Sequence, residues 1–116
     1  METIMAERRL ARDRVIVLVS AEESAGELFR IEYIARDISP VPRDHIHIQQ
    51  EERVEVIEGT LRCRVAGIES VLGPGERIVI PRGIPHAVWN DDRRGSRSIG
   101  EYRPAMNARA MFRQYI

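Results

Sequence analysis

The sequence predicts an all-β sandwich or barrel with one short helix at its end. Three observations carry that expectation. Short runs with two-residue apolar alternation recur along the chain, glycine and proline punctuate them at roughly eight-to-twelve-residue spacing, and helical spacing of apolar residues appears only after Pro104. At 116 residues the chain is one domain by length, enough to bury roughly two-thirds of its unfolded surface. The expected division is a polar lead over 1–13, a barrel over 14–104, and a terminal helix over 105–116 packed on the barrel or on a partner.

Taken in order, Val15–Val19 is a β-branched run that is apolar on both faces, which predicts a strand covered on both sides. From Leu28 the pattern alternates, with Phe29, Ile31, Tyr33 and Ala35 on one face and Arg30, Glu32 and Arg36 mostly on the other. Pro40 and Pro42 make the next segment an extended loop that leads to a predicted strand over Asp44–Ile48. A strand over Glu52–Glu58 turns at Gly59 and returns over Leu61–Val65, with Leu61, Cys63 and Val65 inward. Ile68–Leu72 and Glu76–Ile80 follow, separated by the Gly73-Pro74-Gly75 turn. Pro81–Pro85 is a shaped loop, and His86–Asn90 is a strand with His86, Val88 and Asn90 on one face and Trp89 on the other. Asp91–Ser98 reads as a charged loop and Ile99–Arg103 as the last strand. Pro104 suits the first turn of a helix in which Ala108, Met111, Phe112 and Tyr115 share a side.

Composition excludes several functions. Acidic and basic residues balance at 18 each, which argues against a surface for nucleic acid or anionic membrane, since either needs a clustered basic excess. All 18 basic residues are arginine, so Schiff-base catalysis and a phosphate-loop lysine are excluded. The single cysteine, Cys63, permits neither an internal disulfide nor a cysteine-rich zinc site and suits a reducing compartment, so cytoplasm is expected. Residues 1–13 mix Glu2, Glu7, Arg8, Arg9 and Arg12 without an apolar run of signal-peptide length, and no later run approaches transmembrane length.

All three histidines fall in two short runs, Asp44–Glu52 and Pro81–His86. Alternation puts His45 and His47 on one face, with Ile46 and Ile48 on the other. If the histidines face inward, those isoleucines need a cover, either the first strand or a second subunit. Parity also separates the adjacent carboxylates. Glu52 shares a face with Val54 and Val56, whereas Glu51 shares one with Arg53 and Glu55, so Glu52 points into the core. Three imidazoles beside an inward carboxylate form a donor set for Fe, Mn, Ni, Cu or Zn, with no preference among them. Cys63, Val54 and Val88 are expected to line the pocket. Glu101 joins them if Ile99, Glu101 and Arg103 face in, although Tyr102 gives the opposite face an equal claim.

The spacing His45-x-His47-x4-Glu52-x6-Gly59 resembles the first conserved motif of the cupin superfamily, and Gly75-x5-Pro81-x-Gly83-x2-His86-x3-Asn90 resembles the second. One departure is visible: Ser39 stands where the first motif usually begins with glycine, which touches the entering loop and not a ligand. The resemblance implies a double-stranded β-helix, or jelly-roll, barrel and a single divalent ion held by His45, His47, Glu52 and His86. Four protein ligands around an octahedral ion leave positions open for substrate, which suits Lewis-acid chemistry. The implied function is a metalloenzyme, oxygenase- or isomerase-like, acting on a small polar organic molecule. The alternative is a non-catalytic metal-dependent module that binds a small ligand. A homodimer is expected, with no nucleic-acid or membrane partner.

Overall fold

Alternation along the chain becomes two antiparallel sheets facing each other across one core. The structure, a computed structural model, describes residues 10–116, so all but Leu10–Asp13 of the polar lead lies outside the described residues. A five-stranded sheet runs in the order β1 (Arg14–Val19), β2 (Phe29–Ala35), β8 (Ser96–Arg103), β3 (Glu51–Glu58), β6 (Arg77–Ile80). A three-stranded sheet runs β5 (Ile68–Leu72), β4 (Leu61–Val65), β7 (His86–Trp89). Sequence neighbours β3 and β4 thus lie in different sheets, and the β3–β4 turn closes the barrel at one end. This is a double-stranded β-helix of the jelly-roll type, with a short C-terminal helix α1 (Ala108–Met111) followed by a 3-10 turn over Arg113–Tyr115.

Side-chain parity decides what fills the barrel. Phe29, Ile31 and Tyr102 from the large sheet pack with Val15, Ala105 and Ala108. Val54, Val56, Leu61, Cys63 and Leu72 form a second cluster between β3 and the small sheet. Fully burying each large side chain stabilises the fold by roughly 1.5–3 kcal/mol. The outward face of the large sheet carries ion pairs instead. Arg97 spans Glu32 and Glu58 at 2.7 Å each, and Glu101 is held between Arg30, at 2.8 Å, and Arg103.

Two turns at the closed end pack against each other and require glycine. Gly59 has φ +74°, and a Cβ there would meet the Gly95 carbonyl oxygen at 2.4 Å. Gly95 has φ +87°, and its Cβ would lie 2.6 Å from the carbonyl oxygen of Ala35. Both combine left-handed backbone with close backbone approach, the two conditions only glycine tolerates together.

Several expectations are corrected. β1 is an edge strand whose outer face, Ile16 and Leu18, is exposed, because only β2 pairs with it and nothing among the described residues covers that side. Asp44–Ile48 is not a strand: His45 forms one isolated bridge with His86, and pairing stops there because the facing Pro81–Pro85 segment cannot continue a ladder. The last strand begins at Ser96, not Ile99, since Asn90, Asp92 and Gly95 compress the preceding turn. Helix α1 covers only Ala108–Met111 and starts after Asn107, so Pro104 does not open it. Among the described residues, no helix is long and apolar enough to cross a membrane.

The described end of the lead is anchored. Asp13 is fully buried, and its carboxylate accepts from the Tyr33 hydroxyl at 2.7 Å and from the backbone N–H groups of Arg36 and Asp37 at 2.8 and 3.2 Å. Three hydrogen bonds offset the cost of removing that carboxylate from water.

Candidate metal centre

Three segments bring the candidate ligands together. Glu52 is the second residue of β3 and lies opposite Tyr102 of β8 and Ile80 of β6, which fixes its side chain on the inner face. His86 opens β7 and is set down by the proline-bounded loop. In that loop Gly83, at φ +78°, donates its N–H to the His47 carbonyl at 2.9 Å. The His45 and His86 backbones exchange N–H···O bonds of 2.8 and 2.9 Å. The segment carrying His45 and His47 is therefore held by a single bridge and one loop contact rather than by a sheet ladder.

His47, Glu52 and His86 place one ligand atom each within 4.8 Å of one another. Nε2 of His86 lies 2.9 Å and Nε2 of His47 3.4 Å from the same oxygen, Oε1 of Glu52. His45 does not join this cluster: its ring is exposed, with its centroid 5.3 Å from that of His86 and 5.8 Å from that of His47.

The hydrogen-bond roles around His86 are informative. Nδ1 lies 2.9 Å from the Ile84 carbonyl, which can only accept, so Nδ1 carries a hydrogen. In the neutral ring Nε2 then bears a lone pair, and it faces a carboxylate oxygen that also only accepts. A cation between them, a proton or a metal ion, resolves that conflict. In the metal-free protein a proton takes that place at pH values below the raised value of His86. Burial alone would raise the Glu52 carboxyl, but the His47 and His86 contacts outweigh it and bring it down to about 2. Burial alone would lower His86, but the bonds to Glu52 and Ile84 outweigh it and raise it above 6.5. The Nδ1–H bond to a backbone carbonyl is also the arrangement that orients a metal-ligating imidazole.

Tyr102 completes the surroundings. Its buried hydroxyl donates to Oε2 of Glu52 at 3.4 Å, and burial first, then the Glu52 charge, holds the phenol protonated. Sequence reasoning does not assign Tyr102, because the parity of the last strand is ambiguous until the register with β3 puts Tyr102 opposite Glu52.

The remaining pocket candidates separate. Val54 and Val88 line a partly open cavity of about 250 Å³ whose wall also includes Glu52 and Tyr102. Cys63 is buried in the second core cluster, with Sγ 3.1 Å from Ser70 Oγ, and is absent from the cavity wall. Glu101 faces outward, paired to Arg30 and Arg103, because Gly100 and Tyr102 take the inward positions of β8. Trp89 is buried beneath the Arg64 guanidinium, 5.4 Å above its ring.

Two imidazoles and a carboxylate converging inside a jelly-roll barrel define a small barrel protein with a candidate metal site. Residues 36–96 match the Cupin domain family, and the chain belongs to it. Cupins commonly bind a metal, and the donor set here fits one, with three ligand atoms from three segments meeting at one point. Among solved structures, the chain is similar to the TT1209 protein of Thermus thermophilus, with 19% identity over 90% of this chain and 95% of that one and a TM-score of 0.71. It is similar to KdgF from Halomonas sp. at 17% identity, over 83% of this chain and 82% of that one, with a TM-score of 0.70. An oxalate oxidase in complex with glycolate matches at 20% identity over 79% of this chain and 51% of that one, with a TM-score of 0.63. At these identities the likeness concerns the fold. A search of curated proteins found no match.

Proposed function

We propose that this cupin holds one divalent transition-metal ion through His47, Glu52 and His86, with His45 as a fourth ligand once its ring turns inward, and that it acts on a small polar organic molecule. The observation that carries the reading is the convergence of two imidazole Nε2 atoms on one carboxylate oxygen in an arrangement that needs a cation. Bound there, Fe, Mn, Ni, Cu or Zn would supply a Lewis acid able to polarise substrate oxygens. The chain's own contribution is to fix the ligands: Ile84 holds the His86 ring, and Tyr102 holds the second oxygen of Glu52. Oxygenase- or isomerase-like chemistry fits such a site, with the reaction confined to a barrel over 14–104.

Fe(II)-loaded protein mixed with small diols and diketones in air tests turnover. Oxygen uptake or product formation that disappears in His86→Ala supports the enzyme. A second reading is a non-catalytic binding module, in which the ion organises the fold or holds a ligand. Thermal stabilisation by a ligand without product would support that module.

A homodimer is part of the proposal. Ile16 and Leu18 lie exposed on an edge strand, and Ile46 and Ile48 lie exposed beside the histidines, surfaces a second copy would cover. A strictly monomeric elution profile contradicts it. Balanced charge and one buried cysteine support a cytoplasmic protein without nucleic-acid or membrane partners.

A further inference from the structure

The chain that delivers His45 and His47 forms no strand over residues 39–48, and its backbone is tied to the barrel at three points. The Ser39 N–H donates to the Asn90 carbonyl at 2.9 Å, His45 bridges to His86, and the His47 carbonyl accepts from Gly83. Residues 40–44 lie between the first two ties, and Pro40 and Pro42 have no N–H to add another. A side chain from β4 fills that gap. Arg64 lies opposite Ala87 of β7, and its neighbour Val65 lies opposite His86. The strand that carries Arg64 is therefore paired directly with the strand that carries His86.

The guanidinium of Arg64 grips the loose stretch twice. Its Nε and Nη2 each lie 2.8 Å from Oδ1 of Asp44, and Nη2 also donates to the Pro42 carbonyl at 2.8 Å. The group sits 5.4 Å above the Trp89 ring, and its side chain is only 20% exposed. A planar fork backed by an indole has its donor directions set before it meets its partners, which a lysine ammonium does not. Asp44 directly precedes His45, so holding the Asp44 carboxylate and the Pro42 carbonyl fixes the backbone from which the His45 ring projects. With that backbone fixed, His45 can reach the ion by a turn of its side chain alone. Without the grip, ion binding would also have to order residues 40–44, at an entropic cost. Arg62, two residues earlier on the same face of β4, supplies a comparison: its Nε pairs with Asp91 at 2.8 Å and does not touch the histidine segment.

We propose that Arg64 is a positioning residue for the metal centre: by clasping Asp44 and Pro42 it fixes the backbone that presents His45, and through His45 it sets how tightly the site holds an ion. The effect on affinity rests on the metal-dependent reading above, whereas the clasp itself acts in the metal-free protein.

Zn(II) affinity, measured by competition with a chromophoric chelator, and amide hydrogen exchange of the metal-free protein make the test. Arg64→Gln is expected to weaken Zn(II) binding about tenfold or more, the usual effect of removing a group that orients a ligand, whereas Arg62→Gln stays within about twofold of wild type. In a His45→Ala background the same Arg64→Gln change is expected to cost less than about twofold, because the ligand it positions is already gone. In the metal-free protein, Arg64→Gln is expected to speed exchange of the His45 amide about tenfold or more while that of Val54 in β3 is unchanged, a local opening and not a global loss of stability. Asp44→Ala breaks the same clasp from its other end, is expected to reproduce both effects, and decides the matter if Arg64→Gln does not fold. Equal Zn(II) affinity in wild type and Arg64→Gln, an equal loss in Arg62→Gln, or a full loss persisting in the His45→Ala background would overturn the positioning role while leaving the metal reading intact. Unchanged His45 exchange would overturn the clasp. A wild type that takes up no Zn(II) while Arg64→Gln still speeds His45 exchange would sink the metal reading and the affinity effect with it, and would support the clasp alone.

Discussion

Replacing Glu52 by glutamine probes the arrangement at its centre. Glutamine keeps the volume and still accepts from Tyr102, but it removes the charge that faces His47 and His86. The Glu52 carboxyl moves from 4.5 to about 2 on folding, and its side chain is only 8% exposed, so solvent screens little of the interaction. At about 1.36 kcal/mol per pH unit this corresponds to roughly 3 kcal/mol of stability near neutral pH. A lowered carboxyl contributes stability that is fully present above its unfolded value, 4.5, and is lost as pH falls toward its folded value, about 2. Chelator-treated wild type and Glu52→Gln should therefore differ by about 3 kcal/mol in denaturant unfolding at pH 7 and by only about 1 kcal/mol at pH 3. An equal difference at both pH values would mean that the substitution acts through packing, and the charge argument would be refuted.

Two further outcomes follow from the same geometry. His86 is raised above 6.5, so the stability from its ion pair with Glu52 is complete below 6.5 and is lost as pH rises through the raised value. Metal binding needs that nitrogen bare, so Zn(II) affinity should climb over the same interval in which the metal-free protein loses stability, and should weaken already above 6.5 on acidification. Paired thermal melts with and without Zn(II) check both trends. At the closed end of the barrel, Gly59→Ala should cost about 2 kcal/mol or more, because left-handed backbone alone costs an L-residue roughly 1–2 kcal/mol and the added carbon would stand 2.4 Å from the Gly95 carbonyl oxygen. Denaturant midpoints measure that loss, and a change under about 0.5 kcal/mol would show that the two turns are not packed as described.

Strand parity was legible wherever one face is apolar. It put Glu52 with Val54 and Val56, and it put Phe29, Ile31 and Ala35 on the buried face of β2. It failed where an apolar run has no partner to bury it: Val15–Val19 looks covered on both sides, but lies at an edge with Ile16 and Leu18 exposed. It also failed at Asp44–Ile48, where alternation is present but the opposing chain is interrupted by prolines and only the His45–His86 bridge forms. Around the centre, the two histidine runs were readable from spacing. The roles of Tyr102 and the Ile84 carbonyl were not, since each depends on registers and loop conformations that bring residues far apart in sequence face to face. Glu101 shows the same limit in reverse, its facing settled only by the inward positions of Gly100 and Tyr102.

That His47, Glu52 and His86 together hold a divalent ion is tested most directly by elemental analysis. The purified protein and its His47→Ala, Glu52→Gln and His86→Ala variants are each dialysed against the same mixture of transition metals and then measured. One ion per chain in the wild type, falling to near zero in each variant that remains folded, is the predicted result. A wild type that retains no divalent ion, or variants that retain as much as the wild type, would contradict it.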